Sequence, residues 1–590
     1  MYTTVNRNKL ISNISNHNQR LLIVFGIAFF GAFVIVIRLF VLMIMQHNFY
    51  GLLAEKSHGA FSELFSNRGS VYIQDSRTGE EYPLAINRDF FTVFSDTREI
   101  KEDKIAEDVA EKMASVFGYD DEQKLELFYK LNKRDDPYEP IENKVEEEIV
   151  DKLKELDLPG IGYLRRPERY YPEGNLASHV IGFLGKDESG QSVGYYGVEG
   201  YWNTTLYGSG GFFSGDRSAA GGLVNVAKSS FKLPEDGPEM LLTIDRTLQY
   251  MACERLRDAM EEYKAETASL IIMDPFTGAI RVMCSLPDFD PNTYNEVESV
   301  TIYNNSTIFS PYEPGSIFKP FIMAAAINEG LVKPETEFYD IGSVDAGCSK
   351  LIKNAGDRSY EQQNMIGVLE NSINTGMVFV AEKLGKKKMK KYVEDFGFGI
   401  KEGIELDSEV AGDVNTLSLN EDRSFDCYAA TTSFGQGITA TPLQIVTAFG
   451  AIANGGTLVK PYIVEELRYS DGKLEKTKVK EIRRVLDKRT TSLLGGMLVN
   501  VVDSGQARSA RVDGYYVAGK TGTAQIAGAG GYTEEYNHSF VGFAPVDDPK
   551  FVILVKFEKP QVLYSANTAA PVFGDIAKFI LQYYQVPPGR

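Results

Sequence analysis

Residues 21 to 45 read LLIVFGIAFFGAFVIVIRLFVLMIM, an apolar run interrupted by a single charge at Arg38. At 1.5 Å per residue such a helix is about 37 Å long, enough to cross a hydrocarbon core of about 30 Å. Arg38 lies toward one end and can reach the headgroup region. Arg7, Lys9 and Arg20 precede the run, with no Asp or Glu among them. Basic residues stay on the cytosolic side, so the sequence predicts a cytosolic N-terminus and an extracytoplasmic chain after about residue 46. A cleaved signal has a shorter apolar region and a small-residue cleavage site, which this run lacks. No second run approaches spanning length. The expectation is a single-pass protein of the cytoplasmic membrane, with residues 1–20 as cytoplasmic tail and 21–45 as transmembrane helix.

With 590 residues, the chain has room for several cores. A net charge of −19 and a pI of about 5.0 argue against nucleic acid as a partner. Cys253, Cys284, Cys348 and Cys427 form no C-x-x-C pair, and with five His in all there is no metal-site pattern. Whether any two of these cysteines join cannot be read from their spacing.

Residues 46–245 are mixed, charged and punctuated by Gly and Pro, with hairpins such as VYIQDSRTGEEYPLA. A charged helical stretch is predicted near Asp121 to Leu156, broken at Pro137 and Pro140; its alternating charge suits a solvated face. A second domain spans 246–590. A helix should follow Asp245 as N-cap, with Leu248, Met251, Leu256 and Met260 close to one face. ASLIIMD and AIRVMCS flank the turn Pro275-Phe276-Thr277-Gly278, and SFVGFAPVDDPKFVILVKFE reads as another hairpin. APVFGDIAKFILQYY is a last amphipathic helix. Strand pairs around a helical middle predict an α+β fold, an antiparallel sheet covered by helices.

Chemistry concentrates at three places. In YEPGSIFKP, Pro-Gly ends an extended segment and FIMAAAINEG continues as a helix stopped by Gly330. Ser316 then sits in the first turn, among backbone N–H groups without intrahelical partners, and Pro320 is tolerated there. Lys319 is three residues on, with its amine on the same face as the Ser316 hydroxyl. A serine needs a base to become a nucleophile, and a lysine whose pKa is depressed can serve. Alone, S-x-x-K is weak, since Ser229 to Lys232 and Ser470 to Lys473 also match. Ser372-Ile373-Asn374 adds S-x-N, itself matched by Ser418 to Asn420 and Ser565 to Asn567. Lys520-Thr521-Gly522-Thr523 occurs once, with small residues that let a substrate lie along a strand edge. The ordered trio S-x-x-K, S-x-N, K-T-G is the signature of penicillin-binding proteins and class A β-lactamases.

On these motifs the chain resembles the class B penicillin-binding proteins, the monofunctional transpeptidases. SFGQGITATPLQI, Ser433 to Ile445, is similar to the family's segment between the second and third motifs. Asn67-Arg68-Gly69-Ser70 with LAIN at 84–87, RYYPEGNLASHVIGFLG and YYGVEGYWN resemble its pedestal signature. Where the family has Asp-Arg-x-Gly, this chain has Gln74-Asp75-Ser76-Arg77-Thr78-Gly79. Glu313 and SINTGM resemble the division and sporulation branch more than the elongation branch.

The resemblance implies an elongated pedestal over 46–245 and a penicillin-binding, β-lactamase-like transpeptidase domain over 246–590. It implies Ser316 as nucleophile, Lys319 as base, Ser372 as proton relay tuned by Lys520, and Asn374 on the substrate amide. Thr521 and Thr523 would bind the terminal carboxylate, Gly522 would allow close approach, and backbone N–H groups of Ser316 and Thr523 would form an oxyanion hole. No cofactor or metal is implied. The implied partners are D-Ala–D-Ala stem peptides, β-lactams and a polytopic membrane glycosyltransferase. The alternatives are a D,D-carboxypeptidase or β-lactamase of the same fold, a β-lactam-binding sensor, and a non-catalytic scaffold. The central Ile373 and the lack of an E-x-x-L-N element favour a transpeptidase over a hydrolase.

Overall fold

A fifteen-residue strand, Glu81–Ser95, organises the N-terminal half of the structure, a computed structural model. The structure describes residues 59–64, 66–216, 230–420, 422–528 and 531–589. The tail and transmembrane helix expected at 1–45 lie outside the described residues; among these, no helix is long and apolar enough to cross a membrane. The described chain divides into two units. The smaller holds an antiparallel sheet in the order Gly59–Leu64, Gly211–Asp216, Ser230–Lys232.

The larger unit covers 67–208 and 236–590. Its pedestal sheet runs Leu474–Lys476, Val464–Arg468, Glu239–Asp245, Val71–Gln74, Glu81–Ser95, Glu139–Glu146, with Ile161–Tyr170 also on the long strand. Val71 and Ile73 alternate inward, as a strand with one buried face requires. Residues 121–156 are not a broken helix. Helices Asp121–Leu131 and Glu147–Glu155 flank the strand Glu139–Glu146, with Pro140 opposite Phe94. That strand lies at the sheet's end, where a missing N–H costs no ladder bond.

The pedestal motifs converge on one buried ion cluster. Glu199, fully buried, accepts from Arg68 Nε and Arg169 Nε at 2.6 Å each. Arg68 Nη1 also donates to Asn203 Oδ1 at 3.0 Å, and Asn87 Nδ2 donates to Arg68 O at 2.6 Å. Burial alone would push the Glu199 carboxyl up, but the two guanidiniums outweigh it and hold the pKa below the usual range. In the departure at 74–79, Asp75 closes the hairpin turn through the Arg77 and Thr78 N–H groups and accepts from Thr247 Oγ1 at 2.7 Å.

In the C-terminal domain, α1 (Arg246–Tyr263) starts at Asp245, whose side chain accepts from Leu248 N. Strands β1 (Thr267–Met273) and β2 (Ile280–Leu286) form the predicted hairpin around Gly278 at φ 83°. Helices α2 (Lys319–Asn328), α3 (Asn374–Leu384), α4 (Pro442–Ala453) and α5 (Lys488–Asp503) make up the middle. Strands β3 (Ala518–Gly528), β4 (Gly531–Ala544) and β5 (Phe551–Glu558) complete an antiparallel sheet in the order β2-β1-β5-β4-β3, and α6 (Ala569–Tyr583) follows. Phe540 packs at a tilt against Phe573 of α6 and Phe557 edge-on against Tyr263 of α1, while Phe543 on the opposite sheet face meets Phe449 of α4. Strand alternation thus separates two helical layers. Helix α2 is buried from Lys319 to Ile327, the pattern of a helix surrounded by protein. Disulfides join Cys253 to Cys284 and Cys348 to Cys427.

Candidate active site

Ser316 lies in a 3-10 turn, Gly315–Phe318, that runs directly into α2 with Pro320 in its first turn. Gly315 has φ 57°, and its N–H donates to Gly435 O at 3.0 Å. A Cβ on Gly435, itself at φ 80°, would sit 2.2 Å from Gly315 O. Backbone bonds of 3.0 Å pair Tyr312 with Ala440 in both directions. The Ser433 to Ile445 segment is therefore a brace against the serine turn, and only glycine fits at its closest approach. Glu313 adds a second tie: its carboxylate accepts from Gly437 N and from Tyr532 OH, each at 2.9 Å.

Lys319 is fully buried. Its Nζ donates to Ser372 O at 2.6 Å, Ser372 Oγ at 3.1 Å and Asn374 Oδ1 at 2.8 Å. The first two motifs thus meet at one amine, which has three hydrogens to give. The Ser316 hydroxyl is not one of these acceptors. Burial, reinforced by the charge of Lys520, holds the Lys319 pKa well below the ordinary lysine range. Burial alone brings Lys520 down to about 7. Its Nζ donates to Thr521 O and Oγ1 at 3.2 and 3.3 Å, so Lys520 acts on Lys319 through charge. Ser372 has φ 56°, a left-handed turn residue between two helices, and Asn374 opens α3, with its Nδ2 donating to Lys353 O at 3.0 Å.

Strand β3 places Gly522 against the serine turn. A Cβ there would lie 2.6 Å from Ser539 Oγ, 3.0 Å from Ile317 Cγ2 and 3.1 Å from Pro314 O. Thr521 and Thr523 alternate to the other face. Thr523 Oγ1 and Ser565 Oγ are 2.9 Å apart, and Ser565 N donates to Thr523 Oγ1 at 3.2 Å. Thr523 lies opposite His538, whose Nδ1 is 3.0 Å from Thr568 Oγ1 and whose pKa burial lowers to about 4, leaving it neutral. The segment 565–568 thereby supports the end of the K-T-G-T strand. Ser565 begins one of the other S-x-N matches in the sequence, and no local pattern marks it as a support for Thr523. Of the other decoys, Ser470 is exposed in a turn and Ser229 lies outside the described residues.

The model of the penicillin binding protein transpeptidase domain matches residues 268–578, and that of the penicillin-binding protein dimerisation domain matches 64–242. The stage V sporulation protein D of Bacillus subtilis is 35% identical over 520 residues, 86% of this chain and 77% of its own length. A probable peptidoglycan D,D-transpeptidase, PenA of Neisseria gonorrhoeae, is 27% identical, covering 78% of this chain and 76% of its own. In fold, penicillin binding protein 2X of Streptococcus thermophilus superposes with a TM-score of 0.77 at 21% identity, covering 89% of this chain and 80% of that one. With both domains matched in order and the three motifs joined around Lys319, the chain belongs to the class B penicillin-binding proteins, in their division and sporulation branch.

Proposed function

We propose that the chain is a peptidoglycan D,D-transpeptidase working through an acyl-enzyme on Ser316. The observation that carries this is Lys319: fully buried, depressed in pKa and bonded to both Ser372 and Asn374. Burial and the Lys520 charge make such an amine give up its proton more readily than an ordinary lysine, which suits it to act as a base. Ser316 Oγ attacks the carbonyl between the terminal D-alanines, and its proton passes to Lys319 Nζ. The tetrahedral oxyanion lies between the N–H groups of Ser316 and Thr523. On collapse the C–N bond breaks, and the proton moves from Lys319 through the Ser372 hydroxyl to the leaving amine of D-alanine. An amine of a second stem then attacks the ester carbonyl and gives a proton to Lys319; the ester C–O bond breaks, and Lys319 returns the proton to Ser316 Oγ. Asn374 holds the donor amide. Thr521, Thr523 and the Lys520 charge receive the donor carboxylate, and Gly522 lets their strand lie against the serine turn. β-Lactams enter as donors and leave Ser316 acylated.

Anchoring through residues 21–45, with the catalytic domain outside the cytoplasmic membrane, belongs to the same reading. It is supported by the basic N-terminal tail and the length of the apolar run. A polytopic membrane glycosyltransferase is the matching source of new strands, reached through the anchor and pedestal. The test is product analysis of the full chain on wall polymer with uncross-linked pentapeptide stems. Cross-linked stem dimers with released D-alanine are expected; trimmed stems alone would make the chain a carboxypeptidase.

A further inference from the structure

Behind the S-x-N motif lies a buried polar knot that the mechanism does not use. Asp340, at the end of the strand Glu337–Asp340, is fully buried and accepts four hydrogen bonds. Thr375 Oγ1 and Gly342 N reach Oδ1 at 2.6 and 3.0 Å, and Asn354 Nδ2 and Tyr360 N each reach Oδ2 at 2.8 Å. Asn354, 4% exposed, turns its Oδ1 to Thr375 N at 3.1 Å. Thr375 is thus held at its backbone and at its hydroxyl by two residues from one distant segment. It directly follows Asn374. The residue before Asn354, Lys353, takes the Asn374 Nδ2 hydrogen bond on its backbone carbonyl, while Asn374 Oδ1 receives Lys319 Nζ.

We infer that Asp340 and Asn354 are positioning residues for the transpeptidase reaction: they clamp Thr375 and so set where Asn374 meets Lys319 and the donor amide. The inference rests on the transpeptidase reading above. Asn374 opens a helix two residues after the left-handed Ser372, where the first N–H groups have no intrahelical partner, and the N–H of Thr375 finds its acceptor in Asn354 Oδ1. A carboxylate taking four donors admits one arrangement of them, and a buried network of this kind is rigid when fully satisfied. Burial favours a neutral Asp340, but the bonds from Thr375, Gly342, Tyr360 and Asn354 outweigh it and keep the group ionised. An amide in its place would turn an NH2 toward two of these donors.

The experiment compares second-order rates of Ser316 acylation by a fluorescent penicillin for the full chain and for Asp340→Asn, Thr375→Val and Thr375→Ser, with melting curves alongside. Thr375→Val keeps the volume and removes the hydroxyl; Thr375→Ser keeps the hydroxyl. Expected is a loss of about 10²-fold for Asp340→Asn and Thr375→Val, the scale of a small misplacement of a catalytic group. Thr375→Ser should restore the rate to within about 3-fold, the hydroxyl rather than the methyl being what Asp340 holds. Should Asp340→Asn not fold, the Thr375 pair decides. Undiminished acylation of folded Thr375→Val, or equal losses for Val and Ser, would overturn the inference. Failure of the unaltered chain to label at Ser316 would instead overturn the transpeptidase reading, and this inference with it.

Discussion

Lys319 Nζ donates to Ser372 Oγ at 3.1 Å, and Ser372 presents that hydroxyl from a left-handed backbone with φ 56°. A non-glycine residue in that region costs about 1 kcal/mol, a strain that glycine relieves. Substituting Ser372→Gly removes the hydroxyl and the strain together. Stability should change by less than about 1 kcal/mol, because relief in the fold is offset by the freer unfolded chain. Acylation should fall by about 10²- to 10⁴-fold, the range for losing a proton-transfer group. Chemical unfolding beside labelling rates separates the two effects.

The two buried lysines predict the pH profile. Lys319 acts when neutral, so the acylation rate rises with pH through its depressed pKa. Lys520 serves when charged, so the rate falls as pH rises through about 7. The second-order rate constant reports the free enzyme, and its profile should be a bell. Lys520→Arg keeps the charge at all working pH and should flatten the alkaline limb, measured as labelling rate from pH 5 to 10. An unchanged alkaline limb would assign it to another group.

Gly435→Ala tests the brace under the serine turn. Its Cβ would fall 2.2 Å from Gly315 O at a backbone φ of 80°, so both chains must move. A loss of roughly 2 kcal/mol or more in stability is expected from strain and clash. Among molecules still folded, penicillin labelling should drop by at least about tenfold, because the displaced segment carries Ser316.

In the pedestal, Glu199→Gln leaves Arg68 and Arg169 facing each other without a buried anion. Breaking a buried ion cluster this way costs about 3–5 kcal/mol. The expected result is a lower unfolding midpoint by scanning calorimetry, with labelling by soluble penicillin retained below the transition, since the cluster lies outside the catalytic motifs.

The legible parts of the molecule were those whose cause is local in sequence. The hairpin at Pro275 to Gly278, the Asp245 cap and the serine turn each depend on a few adjacent residues, and they appear as expected. The strand Glu139–Glu146 was not legible, because its charged, proline-containing sequence becomes a strand only beside Phe90 to Ser95. Pairing of Cys348 with Cys427 joins residues 79 apart, a distance at which spacing carries no information. The motif residues of the site were legible as a set, while Ser565 behind Thr523 and Asp340 behind Thr375 were not. Both act through contacts made across the fold, with no repeated local pattern to mark them.

Covalent labelling of the full chain with a fluorescent penicillin, followed by peptide mass mapping, tests the central claim most directly. One adduct is expected, on the peptide containing Ser316, absent from Ser316→Ala and strongly slowed in a folded Lys319 variant. An adduct on any other residue, or labelling that survives Ser316→Ala, would contradict it.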